Sequence, residues 1–266
     1  EHLVLATPDN GVAIAIYAAC KATVKVGDGK EITLHEETNY PFEEAIAFTV
    51  STGEKVAFPF YLRIPSWTQK AEVRVNGKKV SAAPVAGKYL CINREWANGD
   101  RVELTLPMSL SMRTWQVNKN SVSVDYGPLT LSLKIAEKYV EKDSRETAIG
   151  DSKWQKGADS KKWPTTEIYP DSPWNYSLVL DKKEPLKNFK VIRKSWPTDN
   201  YPFTVASVPL EVKAIGRPVP EWKIDETGLC GVLPEEDAVK GDKEEITLIP
   251  MGAARLRISA FPNTKE

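Results

Sequence analysis

The feature that most constrains the fold is a segment in which large apolar side chains occupy every second position. Val56, Phe58, Phe60, Leu62 and Ile64 carry this alternation. A period of two puts all five on one face of a β-strand, because successive side chains of a strand point to opposite sides. Such a face has to be covered by other apolar side chains. The segment therefore predicts a sheet with one buried side.

Two turn sequences extend this prediction toward residue 107. Asn76-Gly77 tolerates the positive φ angles of a type I′ turn, so residues 71–75 and the residues after Gly77 are predicted to form a hairpin. Asn98-Gly99-Asp100 predicts a second turn, and Pro107 ends the strand that follows it. The apolar face of that strand consists of Val102, Leu104 and Leu106.

The whole chain of 266 residues is predicted to be all-β. About eight short strands fit before residue 112, with no comparably long helical period, and that number suits a β-sandwich or jelly roll. Residues 111–120 are polar and irregular and form a short linker. We therefore predict two consecutive β-sandwich, jelly-roll-like domains at residues 1–112 and 113–266, the second one less regular.

The second half of the chain has weaker signals. Residues 136–142 suggest a short helix, and a long loop containing several aromatic residues follows as far as residue 176. Strands then return in short pieces separated by prolines, which favour edges and turns. The predicted strands are 177–180, 189–192, 204–208, 210–215, 245–249 and 255–260.

Composition excludes some functions. The chain has 36 Lys+Arg and 36 Asp+Glu, so it is neutral, and without a basic stripe it gives little reason to expect binding of nucleic acid. No apolar run approaches the ~20 residues of a membrane-spanning helix, so no membrane association is expected. Three cysteines are too few for a disulfide framework, and Cys91, between Leu90 and Ile92, is predicted to be a buried structural thiol.

Catalytic and metal-binding patterns are weak. Acidic neighbours such as Glu36-Glu37 do not indicate a catalytic pair, because adjacent strand residues point to opposite faces. With only His2 and His35 and widely spaced cysteines, the sequence predicts no metal site and no cofactor in this chain.

The aromatic residues of the long loop are the remaining candidates. Trp154, Trp163, Trp174 and Tyr176 lie in polar sequence. Sugar rings stack on such side chains, so these four are the candidate carbohydrate-binding residues. The alternative is that they hold the loop against the sandwich, as small apolar clusters under loops do.

A series of short motifs in fixed order gives a family resemblance. The series comprises Leu-Arg-Ile-Pro-Ser-Trp at 62–67, Val-Asn-Gly at 75–77, Gly-x-Tyr-Leu at 87–90, Arg-x-Trp-x-x-Gly-Asp at 94–100 and Leu-Pro-Met at 106–108. Glu-Thr-Asn-Tyr-Pro at 37–41 precedes it and Tyr-Gly-Pro-Leu at 126–129 follows it. This order resembles the β-sandwich region behind the catalytic barrel of the β-L-arabinofuranosidase-like glycoside hydrolases, family 127 and its relatives.

The resemblance implies that catalysis takes place outside this chain. In that family the reaction runs in an N-terminal (α/α)₆ barrel with a zinc-bound cysteine nucleophile and a glutamate acid/base. The chain would then be a non-catalytic region that supports the barrel of the same polypeptide. The parent enzyme would act on plant-type glycans, in the periplasm or outside the cell by family habit. The alternative is a carbohydrate-binding module that uses the aromatics of residues 154–176.

Overall fold

The computed structural model describes residues 2–144, 159, 161–226 and 228–266, and these are almost entirely strands and connecting loops. The predicted all-β fold class is confirmed. The described residues contain no helix with the length and hydropathy needed to cross a membrane.

The chain divides into two compact units. Unit 1 comprises Glu1–Leu110 and Tyr126–Leu129, and unit 2 comprises Ser111–Asp125 and Thr130–Glu266. The turn at Tyr126–Leu129 joins unit 1 because Gly127 lies against Met108 and Ser109. Its amide donates to the carbonyl of Ser109 at 3.1 Å, and a Cβ on Gly127 would lie 2.6 Å from Met108 Cγ.

Unit 1 is a sandwich of two sheets. The first has four strands in the order β1-β2-β6-β9, and the second has six in the order β3-β4-β5-β10-β7-β8. Neighbouring strands are antiparallel except for β2 and β6, which are parallel. The four-stranded sheet consists of β1 (Val4–Ala6), β2 (Val12–Ile14), β6 (Val56–Arg63) and β9 (Tyr89–Trp96). The six-stranded sheet consists of β3 (Cys20–Val26), β4 (Lys30–Thr38), β5 (Ala45–Thr52), β7 (Glu72–Val75), β8 (Lys78–Lys79) and β10 (Arg101–Thr105).

An aromatic cluster fills the space between these two sheets. Phe60 of the four-stranded sheet meets Phe48 of the six-stranded sheet edge to face, with ring centroids 5.5 Å apart. Trp96 packs on Phe60 at 5.7 Å, and its buried indole N–H donates to the carbonyl of Phe58 at 3.0 Å. Each ring buries a large apolar area. The hydrogen bond also satisfies the only polar atom of the indole, so Trp96 can be buried without an unpaired donor. Every second residue from Val56 to Ile64 points into this core, as predicted.

The Asn76-Gly77 turn also has the predicted geometry. Both residues have positive φ, 51° and 76°, and they connect β7 to β8. The Asn76 side chain has a second role, because its Nδ2 donates to Asp100 at 2.7 Å and its Oδ1 accepts from the Arg101 amide at 2.8 Å. The two predicted turns therefore hold each other in place.

Unit 2 contains an eight-stranded sheet in the order β11-β12-β13-β19-β18-β16-β20, with β17 paired to β18, and a separate ribbon of β14 and β15. Strands β12 and β16 are buried along their whole length, so both of their faces are covered. The sheet consists of β11 (Leu110–Trp115), β12 (Ser121–Tyr126), β13 (Leu129–Leu133), β16 (Tyr176–Leu180), β17 (Lys190–Arg193), β18 (Leu210–Pro218), β19 (Glu244–Pro250) and β20 (Asn263–Lys265). The ribbon consists of β14 (Glu137–Lys142) and β15 (Thr165–Pro170), and Met251–Ala253 forms a 3-10 turn.

Several local predictions for unit 2 are wrong. The linker predicted at 111–120 contains most of β11, and the loop predicted as far as residue 176 contains β15. The predicted helix at 136–142 is the strand β14, because all six residues pair with β15 in antiparallel register. Residues 204–208 form a turn, closed by a 3.0 Å hydrogen bond from the Val208 amide to Thr204. Residues 255–260 are a loop whose carbonyls accept single hydrogen bonds, such as Leu133 N to Ile258 O at 2.8 Å. Pairing with a distant strand overrides the local pattern at Glu137–Lys142, whereas local hydrogen bonds close the turn at 204–208.

We expect Phe60→Ala to lower the free energy of unfolding of unit 1 by about 3–5 kcal/mol, because it leaves a cavity between the two sheets. Tyr89→Ala is the control on the same sheet, since that ring points outward and is 48% exposed. Its cost should stay below about 1 kcal/mol. Urea unfolding followed by fluorescence measures both, and equal losses would contradict the assignment of faces.

Candidate functional site

The four aromatic candidates do not form one cluster among the described residues. Trp154 lies outside them. Trp163 is 67% exposed, whereas Tyr176 belongs to β16 and is only 7% exposed. Trp174 is half-buried and meets Trp222 edge to face at 5.2 Å. No ring contact joins any two of Trp163, Trp174 and Tyr176 in the described part of the chain.

Trp174 does line a groove in unit 2 that the sequence did not predict. The groove has a volume of about 380 Å³ and is mainly apolar. Tyr169, at the end of β15, lies on it with Trp174, and Leu229 from a short hairpin forms another wall. That hairpin is closed by a bridge between Ile224 and Cys230. The groove therefore combines segments that are more than fifty residues apart, which no local pattern indicates.

The neighbouring acids Glu36 and Glu37 point to opposite sides of β4, as predicted. Glu37 is exposed and accepts from Arg101 at 3.1 Å. Glu36 points into the sandwich and is only 2% exposed. It accepts from the Ala18 amide at 3.0 Å, and the Cys20 Sγ lies 3.7 Å from its Oε2. The two carboxyls therefore cannot act on one substrate.

Burial raises the pKa of Glu36 to about 7, and its hydrogen bonds from Ala18 and Cys20 offset only part of this effect. Burial, followed by the Glu36 carboxylate, also raises the pKa of the Cys20 thiol. The burial of Glu36 was not predicted from the sequence, because acidic residues are usually exposed. Its position two residues after Leu34 could have indicated it, since this spacing puts both side chains on the inward side of β4.

The described residues do not provide a set of ligands for zinc. Among them, no group of three or more His, Cys, Asp or Glu side chains is arranged to hold a metal ion. Cys20 and Glu36 lie together, but a third ligand is missing from the described neighbours. Cys91 is exposed, which corrects the prediction of a buried thiol. Leu90 and Ile92 take the inward positions of β9, so the residue between them must point outward.

The two outer faces of unit 1 differ in chemistry. The outer face of the six-stranded sheet is charged and internally paired: Arg101 lies 3.1 Å from Glu37 and 3.6 Å from Glu103, and Arg74 lies 2.7 Å from Glu72. Alternating charges of this kind are typical of a surface in water.

The outer face of the four-stranded sheet carries one uncharged row, although Arg63, Asn93 and Glu95 also occupy outward positions of β6 and β9. Strand pairing aligns Leu5 with Ala13, Ala13 with Tyr61 and Tyr61 with Cys91, so these four residues form one row across the sheet. Tyr89 lies on the same side at the next outward position of β9. We call these five residues the apolar outer face. Leu5 is 42% exposed, and a shallow cavity of about 520 Å³ lies over Ala13, Tyr61 and Tyr89.

Asp9 lies at the border of the apolar outer face. The Tyr61 hydroxyl donates to Asp9 Oδ2 at 2.6 Å, and Thr7 donates to the other carboxylate oxygen. These two hydrogen bonds lower the pKa of Asp9, and the same bond to Asp9 raises the pKa of Tyr61. This hydrogen bond fixes the hydroxyl end of the Tyr61 side chain beside Asp9.

We expect the stability of the protein to fall as the pH rises from about 4.5 to about 7, the range between the ordinary and the raised pKa of Glu36. In this range folded Glu36 keeps a proton that the unfolded chain releases, so raising the pH favours unfolding by up to about 1.4 kcal/mol per pH unit. Glu36→Gln should remove this slope, and Glu37→Gln is the exposed control. Urea unfolding at several pH values tests this, and parallel curves for wild type and Glu36→Gln would contradict it.

Comparison with known proteins supports the family resemblance. Residues 11–108 match the family model described as "Beta-L-arabinofuranosidase, GH127 middle domain". A search of curated proteins found no match.

Solved structures match over almost the whole chain. One is a GH127 β-L-arabinofuranosidase from Geobacillus stearothermophilus T6, with a TM-score of 0.63 and 20% identity over 99% of this chain and 35% of that one. A second, titled as a glycoside hydrolase, has a TM-score of 0.63 and 22% identity over 97% and 36%. A third, a GH127 β-arabinofuranosidase, has a TM-score of 0.61 and 21% identity over 97% and 36%.

This chain therefore spans about a third of the length of the structures that it matches. The motif-based resemblance is confirmed: residues 11–108 match the GH127 middle domain in sequence, and the chain shares its fold with the corresponding part of GH127 β-L-arabinofuranosidases.

Proposed function

We propose that this chain is the non-catalytic β-sandwich region of a GH127-like glycoside hydrolase and that it packs against the catalytic barrel of the same polypeptide and stabilises it. The observation that carries the proposal is the match of residues 11–108 to a middle domain, in a chain about a third as long as the proteins it resembles. The parent reaction would be hydrolysis of an L-arabinofuranoside in a plant-type glycan.

The chemistry of the described residues supports a non-catalytic role for this chain. Glycoside hydrolysis generally needs two carboxyl groups that face each other across the sugar. Glu36 is enclosed in the sandwich and its neighbour Glu37 is paired with Arg101, so neither presents a free carboxylate to a common cleft. The zinc and thiolate that the family resemblance implies would belong to the barrel. Support of the barrel is therefore the role that we propose for this chain.

We expect the 266-residue chain to raise the melting temperature of the separately expressed barrel region of its parent protein. A partner that binds only the folded barrel adds about 2.7 kcal/mol when its concentration is a hundred times Kd. Scanning calorimetry of the mixture measures the shift, and an unrelated β-sandwich of similar size is the control. An unchanged melting temperature, or hydrolysis of β-L-arabinofuranosides by the 266-residue chain alone, would contradict the proposal.

Glycan binding by unit 2 is a second candidate function. It is favoured by the exposure of Trp163 and by the groove that Trp174 shares with Tyr169. Sugar rings present C–H faces that pack on such rings. Tyr176 is enclosed in β16, so Trp163 and Trp174 would make the contacts in this candidate.

If unit 2 binds glycans, arabinan or arabinogalactan oligosaccharides should change the tryptophan fluorescence in a saturable way. Trp163→Ala or Trp174→Ala should weaken binding about tenfold, the loss of one stacking contact of about 1.4 kcal/mol. Trp115→Ala is the matched control, because Trp115 is also in unit 2 and 41% exposed, with its N–H bound to Ser123 at 2.8 Å. A flat titration across the oligosaccharides would reject this candidate.

A further inference from the structure

Among the described residues of unit 1, no segment covers the apolar outer face. Its row of Leu5, Ala13, Tyr61 and Cys91 crosses all four strands of the sheet without a charged residue. Leu5 and Tyr89 remain 42% and 48% exposed, and Cys91 is exposed as well. An uncharged row across a whole sheet, with exposed Leu5 and Tyr89 beside it, makes this surface a candidate interface.

The opposite side of the same sandwich serves as an internal comparison. There, the equivalent row across four strands of the six-stranded sheet is Glu37, Ala47, Glu103 and Arg74. Three of these four side chains are charged, and Arg101 pairs with both glutamates. Both rows occupy outward positions of the same sandwich, and they differ in charge.

We infer that the apolar outer face is the surface on which the catalytic barrel of the parent polypeptide docks. The inference rests on the proposed function and adds to it the surface of contact. Two observations select this occupant. The matched proteins are about three times as long as this chain, and the matched domain is named a middle domain, so its natural setting includes neighbouring domains.

The docked surface of the barrel should be apolar and nearly neutral, because ionised groups would lose their hydration against Leu5, Ala13 and Cys91. Asp9, bound to Tyr61, marks the polar border of this contact.

The three cysteines provide a direct test on the intact chain. Cys91 lies on the apolar outer face and is exposed, Cys230 is exposed in unit 2, and Cys20 is partly buried beside Glu36. The 266-residue chain is alkylated with iodoacetamide, with and without the separately expressed barrel, and each cysteine is quantified by mass spectrometry. We expect the barrel to slow alkylation of Cys91 by about tenfold when nine-tenths of the chain is bound, while Cys230 reacts at its free rate.

A pair of matched variants tests the energetic contribution of the face. Ala13 and Ala47 are both half-buried alanines on outward positions, Ala13 in the apolar outer face and Ala47 in the charged face. Ala13→Lys should weaken binding of the barrel by about a hundredfold or more, because a charge is buried in an apolar contact. Ala47→Lys, between Glu37 and Glu103, should change it by no more than about twofold. If Ala13→Lys does not fold, Cys91→Lys at an exposed position replaces it.

The experiments distinguish a wrong docking surface from a wrong proposed function. Binding of the barrel with unprotected Cys91 and equal affinity of Ala13→Lys and Ala47→Lys would overturn the inference and leave the proposed function intact. Failure of the wild-type chain to bind or stabilise the barrel would overturn both. Protection of Cys91 that depends on the concentration of the chain alone would identify a second copy as the occupant, and protection by oligosaccharide would identify a glycan site. Either outcome would also overturn the inference.

Discussion

The contact between Phe48 and Phe60 is the interaction on which unit 1 depends. These rings belong to different sheets and lie 5.5 Å apart in the centre of the sandwich, with Trp96 on the side of Phe60. Once they point inward, the pleat of each strand forces their neighbours outward. Tyr61 on one sheet and Ala47 on the other thus reach the surface because the core fixes the register. The chemistry of the outer faces is therefore free to vary without loss of the fold.

The fold of unit 1 was predictable because its signals are local. The alternation from Val56 to Ile64 and the turn at Asn76-Gly77 are contained within a few residues, and the structure has both. Glu137–Lys142 was not predictable in this way, because its strand exists through pairing with Thr165–Pro170 more than twenty residues later. Cys91 shows a different error. The alternation was read correctly, but the side chain of this residue was assigned to the wrong face.

The functional surfaces were less accessible to sequence reasoning than the fold. The groove beside Trp174 depends on Tyr169 and Leu229, which come from distant segments. The environment of Glu36 depends on Ala18 and Cys20 across the sheet. The apolar outer face depends on the order β1-β2-β6-β9, which no motif in the sequence specifies. Polar or apolar character at one position can be read from the sequence, but its neighbours across strands cannot.

Covalent linkage changes how strong the contact on the apolar outer face has to be. The face consists of five side chains, and two of them, Ala13 and Cys91, are small, so it can bury only a modest apolar area. Because each Å² contributes about 25 cal/mol, the free energy of the contact is modest too. Two domains in one polypeptide meet at an effective concentration in the millimolar range for a short linker, and a contact that is weak between separate molecules is then almost always formed. A modest apolar surface is consequently sufficient within one chain. Separated domains lack this effective concentration, so the contact between them should form only at protein concentrations above its Kd.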